Sequence, residues 1–114
     1  MNTFTMKLQP NHFYYMKNGT KRIELRLNDE KRSKICIGDK IIFYKEPLLD
    51  ESFETTVIKL LKYNTFEELI NEYGTKICAD KTITKQDLLN ELEKFYPKEK
   101  QSKYGVLGIM ISLN

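Results

Sequence analysis

Residues Tyr104 to Leu113 read YGVLGIMISL, a nearly unbroken apolar run. A strand of that composition has no face to offer water, so it belongs inside a sheet with layers packed on both sides. A chain of 114 residues can supply them. At that size well over half of the unfolded surface is removed on folding, and a core forms without staples. Residues 1–114 are therefore expected to fold as one domain.

The partners of that strand are written in the alternation upstream. Phe4, Met6 and Leu8 share one parity, which predicts a strand over Phe4–Leu8. Pro10 and Asn11 open a short helix through Asn18, with Gly19 as its cap. Arg22 to Leu27 alternates without a fault. Arg22, Glu24 and Arg26 take one face, and Ile23, Leu25 and Leu27 the other. Asn28–Lys34 is a charged loop, and Gly38-Asp39 is a turn whose carboxylate bonds nearby backbone. Lys40–Lys45 and Phe53–Tyr63 predict two more strands, with a loop over Pro47–Ser52.

Thr65 with Glu68, and Thr84 with Asp87, have the spacing of helix N-terminal capping pairs. The first helix carries Phe66, Leu69, Ile70 and Tyr73 and stops at Gly74. The second carries Leu88, Leu89, Leu92, Phe95 and Tyr96 and stops at Pro97. The order is strand, helix, three strands, two helices, strand. Helices that interrupt strands without regular alternation indicate an α+β fold with a mixed or antiparallel, partly closed sheet.

Function classes narrow by exclusion. No apolar run approaches the length of a bilayer span, and Met1–Lys7 lacks the layout of a signal peptide, so the expected location is the cytoplasm. Cys36 and Cys78 form no CxxC pair and His12 is the one histidine, so no metal and no cofactor are expected. Both thiols are expected to be buried or half-buried small apolar groups. The net charge of +3 is unevenly spread. Lys17 to Lys45 holds nine basic and four acidic residues, a net of +5, and the rest of the chain nets −2. Such asymmetry suits either an anionic partner or a solvated loop.

Within that basic quarter, Gly19-Thr20-Lys21-Arg22-Ile23-Glu24-Leu25-Arg26 resembles the GxKxxExR signature of the ASCH domain. Asn28-Asp29-Glu30-Lys31-Arg32 and Ile37-Gly38-Asp39-Lys40-Ile41-Ile42-Phe43 are similar to that family too. So are Tyr96-Pro97 and Tyr104-Gly105-Val106-Leu107-Gly108-Ile109. The resemblance covers nearly the whole chain, in order. It implies a PUA-like mixed β-barrel flanked by short helices, and an RNA- or nucleotide-binding role in a basic cleft at the motif. One branch of the family hydrolyses acetylated cytidine with a lysine, a threonine and a glutamate. Lys21 matches the lysine, Glu24 stands at the threonine, and the glutamate falls near Lys81, beside Asp80. The alternative function is thus a small hydrolase, an amidohydrolase acting on a modified nucleoside or a ribonuclease, with Lys21 and Glu24 as its catalytic pair.

The residues themselves leave several roles open. Lys21 and Glu24 form either an exposed ion pair of little weight or a working pair. By parity they meet only if Lys21 lies in the turn before the strand. Lys21 is expected to be partly exposed, so that Lys21→Ala melts close to the unaltered protein. Arg26, on the face shared with Arg22, can reach a phosphate or base edge, or pair with Glu24. Lys31, Arg32 and Lys34 can follow a nucleic-acid backbone or be solvated. Tyr104 can line the cleft or merely begin the last strand. Among Phe13, Tyr14 and Tyr15, Phe13 is expected in the core, and a tyrosine can stack on a base. Thr20, Asp80 and Tyr104 are the candidates for a second acid or hydroxyl near Lys21.

Overall fold

The computed structural model describes residues 1–114. Five strands form one sheet: β1 (Thr3–Leu8), β2 (Ile23–Leu27), β3 (Lys40–Lys45), β4 (Ser52–Tyr63) and β5 (Val106–Leu113). Their order is β1-β3-β4-β5-β2. β1 and β3 run parallel, and the other neighbours are antiparallel. The apolar run is an interior strand, with β4 on one side and β2 on the other.

β5 feeds two cores at once, which is why it tolerates no polar face. Leu107, Ile109 and Ile111 join Phe13, Met16, Ile41, Phe43 and Val57 in one cluster. Val106 joins Ile23, Leu25, Leu27 and Leu61 in the other, with Met110 packed against it. Between Val106 and Met110 stands Gly108. A Cβ there would lie 2.7 Å from Leu69 Cδ1 and 3.2 Å from Ile23 Cγ2, so the absent side chain lets a helix close on the sheet. In β4 the register slips between Val57 and Lys59. Such a bulge bends its strand and adds twist, which helps a five-stranded sheet to curl. The result is a half-barrel with several short helices, an α+β fold of the PUA-like kind.

Five helices accompany the sheet: α1 (Pro10–Lys17), α2 (Phe66–Tyr73), α3 (Thr75–Cys78), α4 (Lys85–Phe95) and α5 (Lys98–Tyr104). Thr65 and Thr84 cap α2 and α4, their hydroxyls accepting the N–H of Glu68 (3.2 Å) and Asp87 (3.0 Å). Four helices, not two, separate β4 from β5. α3 is a single turn entered through Gly74, too short to carry a periodic stripe. α5 reads KEKQSKY and buries only Gln101, so it has no apolar stripe to announce it. Its hold on the fold is polar: Gln101 Nε2 donates to the Tyr96 carbonyl at 2.9 Å. Pro97 ends α4 and caps α5. Tyr104 consequently closes α5, and the last strand begins two residues later, beyond Gly105 at φ +74°.

Candidate functional site

The sheet does not close: β1 and β2 are its two edges. The predicted motif lies along β2, on the seam between them. Arg26 reaches across the gap, its Nη2 donating to the Lys7 carbonyl on β1 at 2.8 Å. A cavity of about 140 Å³ opens in this seam. β1 and the turn after it contribute Lys7, Leu8 and Gln9, and α1 contributes His12. Lys21, Glu24, Leu25 and Arg26 come from β2 and its approach. The roof is α4, through Leu88, Glu91, Leu92 and Phe95, with Tyr96 following.

Alternation along β2 places Ile23, Leu25 and Leu27 in the core. On the opposite face Glu24 is only 4% exposed, which removes the exposed ion pair from the two roles left open for it. Lys21 is buried too, at 2%, which corrects the expectation of a partly exposed side chain. The reason is long-range: Glu24 stands opposite Ile109 and Arg26 opposite Leu107 on β5, so the strand's charged face turns toward the core cluster in which α1 packs. Lys21 does stand before the strand, and its Nζ comes within 3.1 Å of Glu24 Oε1. That nitrogen also donates to the Cys78 carbonyl at 3.0 Å and meets His12 Nδ1 at 3.2 Å. An ammonium has three protons and no acceptor, so all three are engaged. His12 must then accept at Nδ1 and carry its proton on Nε2, which faces Glu91 Oε1 at 2.8 Å. The second oxygen of Glu24 accepts from Arg26 Nε at 2.7 Å.

A continuous polar chain therefore runs Glu91, His12, Lys21, Glu24, Arg26 through an apolar surround. Burial alone would raise the Glu24 carboxyl. The charges of Lys21 and Arg26 and the Arg26 hydrogen bond outweigh it and hold the group at about 2. Burial and the charge of Lys21 lower the His12 imidazole, against opposing pulls from Glu91 and Glu24. Burial is the largest influence on Tyr96 and raises its phenol, Arg26 opposes it, and the net shift is upward. Tyr96 thus stays protonated as a donor. Burial pushes the Cys78 thiol up to about 11, so the sulfur is inert while its backbone carbonyl holds Lys21. Cys36, expected to be at least half-buried, is exposed, and both thiols are free.

The other predicted residues divide. Arg22 precedes β2, is exposed, and does not join Glu24 and Arg26 in the cavity. Its backbone is what is used: the N–H donates to Ile77 and the carbonyl accepts from Ile111. Lys31 and Arg32 line a second, wider depression of about 490 Å³, which shares Lys7 and Arg26 with the cavity. Arg32 is held by Asp29, Nη1 to Oδ2 at 3.2 Å. Tyr104 lines neither space, and its ring lies under Lys103 Nζ at 5.1 Å. Thr20 and Asp80 are likewise absent from the cavity wall. Phe13 is fully buried in the core, whereas Tyr14 is exposed beneath Lys45.

The charged and titratable wall residues missed in the sequence are Lys7, His12, Glu46 and Glu91. One signal could have found Glu91. Leu88, Glu91, Leu92 and Phe95 stand at i, i+3, i+4 and i+7, the spacing of an inward helix face, so an acid interrupts the apolar stripe. Nothing local points to His12, whose partners lie 9 and 79 residues away.

Hypothetical protein PH0355, known from a crystal structure, matches with a TM-score of 0.86 at 30% identity, over 100% of each chain. Protein PF0455 of Pyrococcus furiosus, solved by NMR, matches with a TM-score of 0.75 at 29% identity, over 99% of this chain and 97% of that one. A ZmASCH variant from Zymomonas mobilis shares the fold, with a TM-score of 0.67 over 95% of this chain and 66% of its own, at 12% identity. No curated protein matches. The ASCH domain profile matches residues 6–113, and the chain belongs to the ASCH domain family.

Proposed function

We propose that residues 1–114 act as one RNA- or nucleotide-binding module, with the ligand entering the seam between β1 and β2. The observation that carries this reading is the cavity itself. Its volume of about 140 Å³ is below the roughly 300–1,000 Å³ of sites for drug-sized ligands, and suits a single base-sized ring. Leu8, Leu25, Leu88, Leu92, Phe95 and Tyr96 offer apolar and aromatic surface, while Glu24, Arg26 and Tyr96 offer an acceptor and donors. Flat apolar walls with a few fixed polar groups are what an unstacked base needs. Lys21 supports this from below. Its protons are spent on Glu24, His12 and Cys78, so it fixes the carboxylate that faces the ligand.

A hydrolase acting on a modified nucleoside or on RNA is the second reading, and the contact between His12 and Lys21 favours it. An imidazole oriented by Glu91 is placed to take a proton from the lysine, leaving an amine able to act as base. Against it, Glu24 is ionised at every physiological pH and donates no proton.

Binding of a short single-stranded RNA, measured at low salt and through a salt titration, tests the module. We expect weak binding whose log–log salt slope is about −0.7 for each phosphate contacted. No binding at low salt removes the nucleic-acid reading. Release of acetate from acetylcytidine, or cleavage of the RNA, would promote the hydrolase.

A further inference from the structure

We infer that the depression beside the cavity is a phosphate subsite, so that the ligand of this seam is a phosphorylated nucleotide spanning both spaces. The inference rests on the reading of the cavity as a base pocket. It starts from a difference in charge. The cavity wall sets Lys7, Lys21 and Arg26 against Glu24, Glu46 and Glu91, and comes out balanced. The depression is lined by Lys7, Arg26, Lys31 and Arg32 and by no acid at all.

Balanced polar groups in an apolar wall suit a neutral heterocycle, whereas two lysines and two arginines, the arginines backed by Glu24 and Asp29, leave an open bowl of net positive charge that suits an anion. Two arginines offer planar donor forks of the kind that grip phosphate oxygens. Arg32 is already aligned by Asp29, which lowers the entropy lost on binding. Arg26 faces both spaces. Its Nε is committed to Glu24 and one Nη to Lys7, which fixes the plane of the guanidinium at the junction. A ligand reaching from one space to the other passes this residue. Its apolar end lies between Leu88 and Phe95, and its charged end lies beside Lys31.

The phosphate can come from a free mononucleotide or from a strand, and the experiment separates them. The four ribonucleosides, their 5′- and 3′-monophosphates and a short single-stranded RNA are titrated into the protein by calorimetry at low salt. The unaltered protein is compared with Lys31→Glu, a change at an exposed side chain, with a thermal melt confirming its fold. At least one monophosphate should bind about tenfold or more tightly than its nucleoside, the gain expected of a new charged contact. In Lys31→Glu the ratio of the two affinities should fall toward one. Monophosphates binding as tightly as the RNA identify a free nucleotide as ligand, and tighter RNA binding identifies a strand. Nucleosides that bind with no gain from phosphate overturn the subsite and leave the base pocket standing, as does a gain that survives Lys31→Glu. If no nucleoside, nucleotide or RNA binds, the pocket reading fails and the subsite with it.

Discussion

Two cationic regions border the same seam and obey opposite physics. Lys21 and Arg26 lie against a buried carboxylate, with Lys21 2% exposed. Lys31 and Lys34 stand in water a short way along the chain. A charge in water costs little and is worth little, so it is free to meet a ligand. A buried charge must be fully paired, and removing one partner leaves the other stranded. The motif's lysine is therefore held in the fold, while the loop's lysines stand free in water.

The largest test is Lys21→Ala. It leaves Glu24 buried with one partner gone, and we expect a loss of roughly 3–5 kcal/mol in chemical denaturation. A variant that melts like the unaltered protein would return Lys21 to the surface class and erase the contrast.

Next in size is acid. The folded Glu24 carboxyl lies at about 2, below its ordinary 4.5, so its stabilisation is present above pH 4.5 and is lost as the pH falls toward 2. That gap corresponds to about 3 kcal/mol at full extent. The folded His12 is also lowered from 6.5, so protonation weakens the fold first, as the pH drops below 6.5. Denaturation across pH 7 to 2 should show stability falling in that order, and Glu24→Gln should remove the lower step. A flat profile would mean that the buried chain of charges contributes no pH linkage.

The smallest effect sharpens the other side. Lys31→Ala should move stability by no more than about 0.5 kcal/mol, since the side chain is exposed. If Lys31 touches a phosphate, the same change should make the RNA salt slope shallower by about 0.7.

The sequence carries the layout well where structure is periodic. Thr65 and Thr84 announce α2 and α4, and the apolar run at Val106–Leu113 is legible as an interior strand because both of its faces must be covered. α5 is illegible because it is held by Gln101 and neighbouring turns instead of an apolar stripe. The family motif groups Lys21, Glu24 and Arg26 within six residues of chain, yet their burial cannot be read locally. Alternation says which face a side chain takes, not what covers it, and here the charged face turns toward Leu107 and Ile109 on β5, more than 80 residues downstream. His12 is hidden for the same reason, since Glu91 is the distant residue that orients it.

Arg26 donating to the Lys7 carbonyl has a mechanical meaning as well. A sheet closed by a ladder of backbone bonds is uniformly stiff around its circumference. This one is bridged at its seam by a single side-chain bond in place of a ladder. Whatever recruits that guanidinium slackens the two edge strands against each other, and whatever bridges them tightens the whole shell. A ligand that bridges β1 and β2 is expected to slow the exchange of their amides with solvent, and hydrogen exchange with and without ligand measures it.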